Sequence, residues 1–163
     1  MTTVDDAADT GPALRRFMRR WPGGVAVVTS AAGTEPVGCT VSAFLSVSLR
    51  PPLVLVSLAE GSRTLAAVER QGRFGVNVLA AAQSDLATRF AAPTCDRFSD
   101  VPYHWEHGVP VLEDTVAGAV CLVDRIVAAA DHALVLGAVH HCRQDDTTRP
   151  VVFFAGSYYG LSP

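Results

Sequence analysis

The alternation of polar and apolar residues is sharpest between Gly38 and Pro52, where the chain reads GCTVSAFLSVSLRPP. Thr40, Ser42, Phe44, Ser46 and Ser48 fall on even positions, and Val41, Ala43, Leu45, Val47 and Leu49 on odd ones. Side chains alternate across a strand, so this spacing predicts one strand with a row of hydroxyls on one face and aliphatics on the other. No charge occurs between Val37 and Leu49. A solvent-facing strand commonly carries Lys or Glu, whereas an uncharged hydroxyl face suits a flat polar ligand. Ser and Thr are also frequent on ordinary exposed strands, so the pattern alone permits both readings.

The remaining periodicities predict a mainly β chain. Leu14, Phe17, Met18 and Trp21 recur at helical spacing among arginines, which predicts an amphipathic helix over 12–21, stopped by Pro22-Gly23-Gly24. Val25–Thr29 reads as a short strand, residues 31–34 as a hairpin turn, and Leu53–Leu58 as a buried strand after the break at Pro51-Pro52. Ser62 opens a helix that runs to about Arg70 and ends at Gly72. Phe74–Leu79 is a strand, and Ser84 caps a second helix over 85–91, ahead of Pro93. Residues 92–108 read as an irregular lid or contact loop. Val116–Ala129 and His132–Cys142 form an antiparallel pair turning near Asp131, and Val151–Phe154 and Tyr158–Leu161 finish the sheet. Strands adjoin one another in sequence instead of alternating with helices, which predicts an antiparallel barrel with a few peripheral helices.

With 163 residues the chain has the length of one domain. Residues 1–11 are expected to be a disordered lead-in and 12–163 the folded domain, with an acidic, polar start that is no secretory signal. Apolar residues make up 49% and charged ones 18%, at a mean hydropathy of +0.26, which points to a subunit interface. No apolar run approaches the ~20 residues of a membrane span. The net charge of −3 argues against nucleic acid, and Arg15, Arg16, Arg19 and Arg20 read as a solvated helix face. Cys39, Cys95, Cys121 and Cys142 form no CxxC and read as reduced, small core residues of a cytoplasmic protein.

Familiar chemical signatures are missing: no GxGxxG, no GxxxxGK[ST], no GxSxG. No metal site is expected. His140 and His141 are adjacent on a strand and should face opposite ways, and His104-x-x-His107 lacks partners at a convincing spacing, although Glu106 lies between. Three places can meet a ligand. At Ser62-Arg63-Thr64 a strand gives way to a helix, which is either a phosphate seat or a plain N-cap. Asn77 is polar in an apolar strand, either for a ligand or for core hydrogen bonding. His132 after Asp131 is either structural or a contact to a second ligand.

In this order, the signature strand, SRTL at Ser62–Leu65, FGVNVL, Gln83, LATRFA at Leu86–Ala91, Arg97-Phe98, Asp131-His132 with Gly137, and the closing RPVVFFAGSYYGL resemble the short-chain flavin reductases that serve two-component flavin monooxygenases. The resemblance runs from about Phe17 to Leu161. It implies a homodimeric Greek-key split barrel that reduces FMN or FAD with NADH or NADPH, NADH being favoured. It also implies release of the reduced flavin to a separate monooxygenase. Carried onto this chain, it implies flavin contacts at Thr40, Val41, Ser42, Ala43, Ser46, Val47, Ser48, Ser57, Ser62, Arg63, Thr64, Asn77, Gln83, Phe90, Arg97 and Phe98. Nicotinamide contacts fall to His132, Tyr158 and Phe154, with no acid or base catalyst. Two positions depart from the family: Ala130 stands where a glycine precedes Asp-His, and Phe154 where a histidine is frequent. The competing readings are a non-catalytic flavin carrier and another split-barrel oxidoreductase resembling pyridoxamine-phosphate oxidase.

Overall fold

In the computed structural model, residues 10–94 and 96–161 are described; residues 1–9 of the expected 1–11 lead-in, Cys95 and residues 162–163 lie outside them, and Thr10 and Gly11, expected in the lead-in, are helical. Among the described residues, three α-helices, α1 (Thr10–Met18), α2 (Arg63–Gln71) and α3 (Ser84–Ala91), accompany twelve strands. The strands are β1 (Gly23–Gly24), β2 (Ala26–Ala32), β3 (Glu35–Val41), β4 (Phe44–Leu49), β5 (Pro52–Ala59) and β6 (Arg73–Val78). They continue with β7 (Tyr103–Glu106), β8 (Val109–Leu112), β9 (Ala117–Ala129), β10 (His132–Gln144), β11 (Val151–Phe154) and β12 (Ser157–Gly160).

Seven of them pair antiparallel in the order β3-β2-β6-β9-β10-β5-β4. The single signature strand is thereby corrected. The chain bends at Ser42-Ala43, and the two halves lie on opposite edges of the sheet. A link of two residues between opposite edges requires the sheet to curl, and Ser57 N–H donates to Ala43 O at that corner (3.1 Å). A register shift between Ser46 and Ser48 further interrupts the alternation in β4.

Strand β2 is buried almost throughout, because both of its faces are covered. Ala26 and Val28 join Val56, Leu58, Leu65, Val68, Phe74 and Val135 in one core cluster. Val25 and Val27, one residue out of phase, join Leu79, Ala87, Phe90 and Leu112 in a second. Helix α2 packs into the first and α3 into the second. Ser62 caps α2 by accepting from Leu65 N–H (3.1 Å), and Gly72 closes it at φ 65° with its N–H on Val68 O. Ser84 is the first residue of α3 instead of its cap, since a 3-10 turn over Ala81–Gln83 leads into the helix.

Other expectations are corrected by pairing. Strands β11 and β12 do not finish the main sheet; they form a three-stranded sheet with β1, the two glycines read as a helix stop. The segment 92–108 is only partly irregular, because β7 and β8 form a hairpin within and after it. Helix α1 starts at Thr10 and ends at Met18, and it buries no residue within the chain. Cys121 is buried, and burial pushes its thiol up to about 12; Cys39 is partly buried, and Cys142 is exposed, so not every cysteine is a core residue.

Candidate active site

A cleft of about 370 Å³ opens where β3, the end of β5, the start of α2 and the end of α3 converge. Its polar rim is Thr40, Ser57, Ser62, Arg63, Arg97 and His132; Phe90 and Phe98, in edge contact at 4.9 Å, form its apolar wall. Gly38 makes the packing possible: a Cβ there would stand 2.9 Å from Val28 O and 3.3 Å from the Phe90 ring. The cleft therefore gathers eight residues expected at a site, seven from the flavin set and His132 from the nicotinamide set.

Two cations, Arg63 and Arg97, line the cleft. The N-terminus of α2, with the helix dipole behind it, reaches the rim through Ser62 and Arg63. Arg97 crosses from the opposite loop. Its Nε and one terminal nitrogen donate to Ala92 O (3.1 and 2.7 Å), and the other terminal nitrogen donates to Gly38 O (2.6 Å). Among the described residues no carboxylate pairs with it. Three of five guanidinium N–H groups serve the fold, leaving two to meet an anion.

His132 begins β10 after a two-residue turn and pairs with Ala59 at the end of β5, close to the start of α2. Its Nδ1 is 2.8 Å from Asp131 Oδ1, and this contact holds the Asp131 carboxyl below the usual carboxylate range. Beside an ionised carboxylate Nδ1 is the donor, which orients the ring and leaves Nε2 for another partner. A second cavity of about 170 Å³ adjoins at Thr40 and is lined by Val25, Val41, Ser42, Phe153 and Tyr158. Thr40 borders both cavities and donates its hydroxyl to Ala87 O (2.7 Å), tying β3 to α3. Burial pushes the Tyr158 phenol up, and its ring lies 5.2 Å from Phe153.

The chain matches the family described as flavin reductase like domain over residues 18–162. It belongs to that flavin reductase family. Among its relatives is an NADH:FMN oxidoreductase of Rhodococcus erythropolis, 38% identical over 156 residues, covering 91% of this chain and 81% of that one. The reductase subunit HsaB of a flavin-dependent monooxygenase from Mycobacterium tuberculosis is 36% identical over 153 residues, covering 92% and 82%. The fold is similar to that of the Streptomyces globisporus NADH:FAD oxidoreductase SgcE6, solved with NAD and FAD fragments. That similarity has a TM-score of 0.89 and 32% identity, over 100% of this chain and 98% of that one.

Several residues that the flavin reductase resemblance singled out stand elsewhere. Asn77 is fully buried; its Nδ2 donates to Val27 O (3.0 Å) and Thr29 Oγ1 (3.3 Å), and its Oδ1 accepts from Leu112 N–H (2.8 Å). All its polar atoms serve the core, as one of the two sequence readings had it. Gln83 accepts from Ala80 N–H (3.0 Å) and donates to Glu113 O (2.9 Å), which fixes the turn before α3. Thr64 is buried and bonds the Cys39 thiol, so it does not reach the rim beside Ser62. Val41 belongs to the core and reaches only the second cavity. Ala43 lines a separate apolar concavity against α1, while Ser46 and Val47 are exposed along β4 and Ser48 accepts from Arg50 N–H (3.2 Å). His132, Tyr158 and Phe154 are not gathered within one chain. Tyr158 lines the second cavity, whereas Phe154, one residue out of phase with Phe153, packs under Arg20 at 5.8 Å.

Two lining residues carried no sequence signal. Cys39 sits on the wall with its thiol pushed up by burial, and Thr94 lies on the loop after α3. The break between β3 and β4 could have been sought at Ser42-Ala43, where the small residues permit a corner, but the unbroken alternation concealed it.

Proposed function

We infer that this protein is an NAD(P)H:flavin oxidoreductase that favours NADH, reduces FMN or FAD, and supplies the reduced flavin to a separate monooxygenase. Membership of the flavin reductase family supports it, and so do relatives named as an NADH:FMN oxidoreductase and a monooxygenase reductase subunit. The observation that carries it is the cleft itself. Two cations, a helix start, an apolar wall and a histidine oriented by Asp131 line one cleft.

The residues present fit a flavin. The Ser62–Arg63 end takes the phosphate, assisted by the two remaining N–H groups of Arg97. Thr40, at the junction of the two cavities, and Ser42, on the wall of the second, take the ring edge. Phe90 and Phe98 exclude water from one side. His132, held by Asp131, presents Nε2 to the carboxamide of the nicotinamide, and Tyr158 lies across Thr40 from it. With both bound, the chemistry is hydride transfer from nicotinamide to flavin, which needs positioning to about 3–3.5 Å and no protein nucleophile. The chain works as a homodimeric split barrel in the cytoplasm; among the described residues no helix is long and apolar enough to cross a membrane.

NADH or NADPH consumption, followed in air with added FMN or FAD, tests the reading. Turnover dependent on added flavin is expected. Flavin binding without NAD(P)H oxidation would leave a carrier in its place. Replacing His132 by Ala is expected to raise KM for the nucleotide about tenfold with flavin affinity unchanged, as for the loss of one hydrogen bond worth roughly 1–1.5 kcal/mol.

A further inference from the structure

The far end of β10 holds chemistry that the cleft does not use. Val139 pairs with Cys121 and His141 with Val120, so His140 is an extra residue in the strand. At such a bulge two residues oppose one, and the local twist re-aims their side chains. His140 and His141 therefore do not point to opposite faces: both rings reach His107, at centroid distances of 5.0 and 5.7 Å. His107 is brought there by the β7–β8 turn. His107 and Gly108 both have positive φ, 47° and 81°, the pattern of a type I′ hairpin. Arg73 fastens that turn by donating to His107 O (2.7 Å), on the carbonyl side and away from the ring.

Glu106, the last residue of β7, completes the group. Its Oε1 is 3.2 Å from His141 Nε2, and its Oε2 is 3.8 Å from His104 Nε2. The donor atoms of Glu106, His107 and His141 all lie within 4.8 Å of one another. Donors around a tetrahedral ion at ~2.0–2.2 Å stand roughly 3.4 Å apart. His107 and His141 are exposed and Glu106 partly so, which leaves their side-chain torsions free to close that difference. Two imidazoles and one carboxylate suit zinc and its neighbours, whereas calcium and magnesium want oxygen throughout.

We propose that Glu106, His107 and His141 form a binding site for a divalent transition ion of the zinc class, which clips the β7–β8 hairpin to the bulge of β10. Solvent takes the fourth position, His140 shields the His107 ring edge-on, and His104 steadies the free oxygen of Glu106. Nine residue steps along β10 separate His141 from His132, roughly 30 Å at ~3.3 Å per step, so the ion stands clear of the flavin cleft.

The test uses tag-free full-length protein stripped with a chelator. It is titrated with Zn2+ by calorimetry and with Co2+ by visible absorption. One saturable equivalent is expected, with Co2+ bands of a four- or five-coordinate ion. A Tm rise of about 5 °C or more is expected at 100 times Kd. Glu106→Gln and the double variant His107→Ala/His141→Ala should each weaken Zn2+ binding at least about tenfold while flavin reduction stays within about twofold of the unmodified protein. Absence of saturable 1:1 binding to the unmodified protein overturns the site. So does an unchanged Zn2+ affinity in the double variant, or in Glu106→Gln, which keeps the hairpin intact should the double variant misfold.

Discussion

Ala130 holds φ 56° while Asp131 does not share a positive φ, so the turn between β9 and β10 has the φ pattern of a type II′ hairpin, whose first central position favours glycine. A Cβ in that region costs about 1–2 kcal/mol, partly offset by the lower entropy of unfolded alanine. Ala130→Gly is therefore expected to stabilise the protein by about 0.5–1 kcal/mol, read as a Tm rise of about 1–4 °C. A fall in Tm would mean that the turn pays nothing for its alanine. The same residue precedes Asp131-His132, so its conformation sets the angle at which His132 meets the cleft. Asp145 accepts from Thr147 N–H (2.8 Å) and from the hydroxyls of Thr147 (2.6 Å) and Thr148 (2.8 Å), which lowers its carboxyl from 3.8 to about 2. Folding thus favours the ionised form. Its contribution is complete above the unfolded value of 3.8 and disappears as pH falls through about 2. Carboxyl NMR should find that midpoint, and Thr147→Val/Thr148→Val should return it towards 3.8; an ordinary midpoint in the unmodified protein would contradict the cap.

At the scale of elements, α2 is where local chemistry and function coincide. Its limits were legible because Ser62 and Gly72 are chemical punctuation: one hydroxyl accepts a first-turn amide, and one glycine adopts φ 65°. The helix start that results is the phosphate end of the site proposed above. Removing the Arg63 cation should weaken FMN more than riboflavin, by about 1–2 kcal/mol, or roughly tenfold in Kd, because only FMN carries the phosphate. Equal losses for the two flavins would detach Arg63 from that end. Other elements were hidden for physical reasons. Alternation continues unbroken through Ser42-Ala43, yet β3 and β4 occupy opposite sheet edges, since period two records burial and not which strand is the neighbour. The β7–β8 hairpin was masked by Pro110, which strands accept only at edges or bulges, and by His107 where a turn would announce itself with Asn or Asp. Strand β1 consists of two glycines and has no side-chain pattern to read.

At the scale of the whole molecule, a single chain leaves too much apolar surface uncovered. Leu14 is 60% exposed, Phe17 69%, Trp21 70% and Leu49 83%, and α1 buries nothing in its own chain. A nine-residue helix has no stability of its own in water, so its amphipathic face needs a partner. Between α1 and β4 lies a concavity of about 590 Å³ that includes Met18, Trp21, Phe44, Leu45 and Phe153. It runs into the corner at Ser42-Ala43, beside the second cavity. These features favour a second copy of the chain as the occupant. A symmetric partner would cover α1 and the exposed edge of β4 together, and it would bring Ser46 and Val47 from surface positions into an interface next to the flavin. Burying each large side chain contributes about 1.5–3 kcal/mol, so the whole exposed set, not one or two of them, must be covered to offset the cost of association and hold such a dimer. Placing a charge in that contact costs at least as much as one of those side chains contributes. Light scattering coupled to size exclusion should show a dimer for the unmodified protein, and a monomer for Leu49→Asp with Trp21→Glu. If the flavin site is completed across the interface, the monomeric variant should also lose flavin affinity, although neither residue lines the cleft. A variant that remains dimeric with undiminished affinity would show that these exposed residues lie outside the interface.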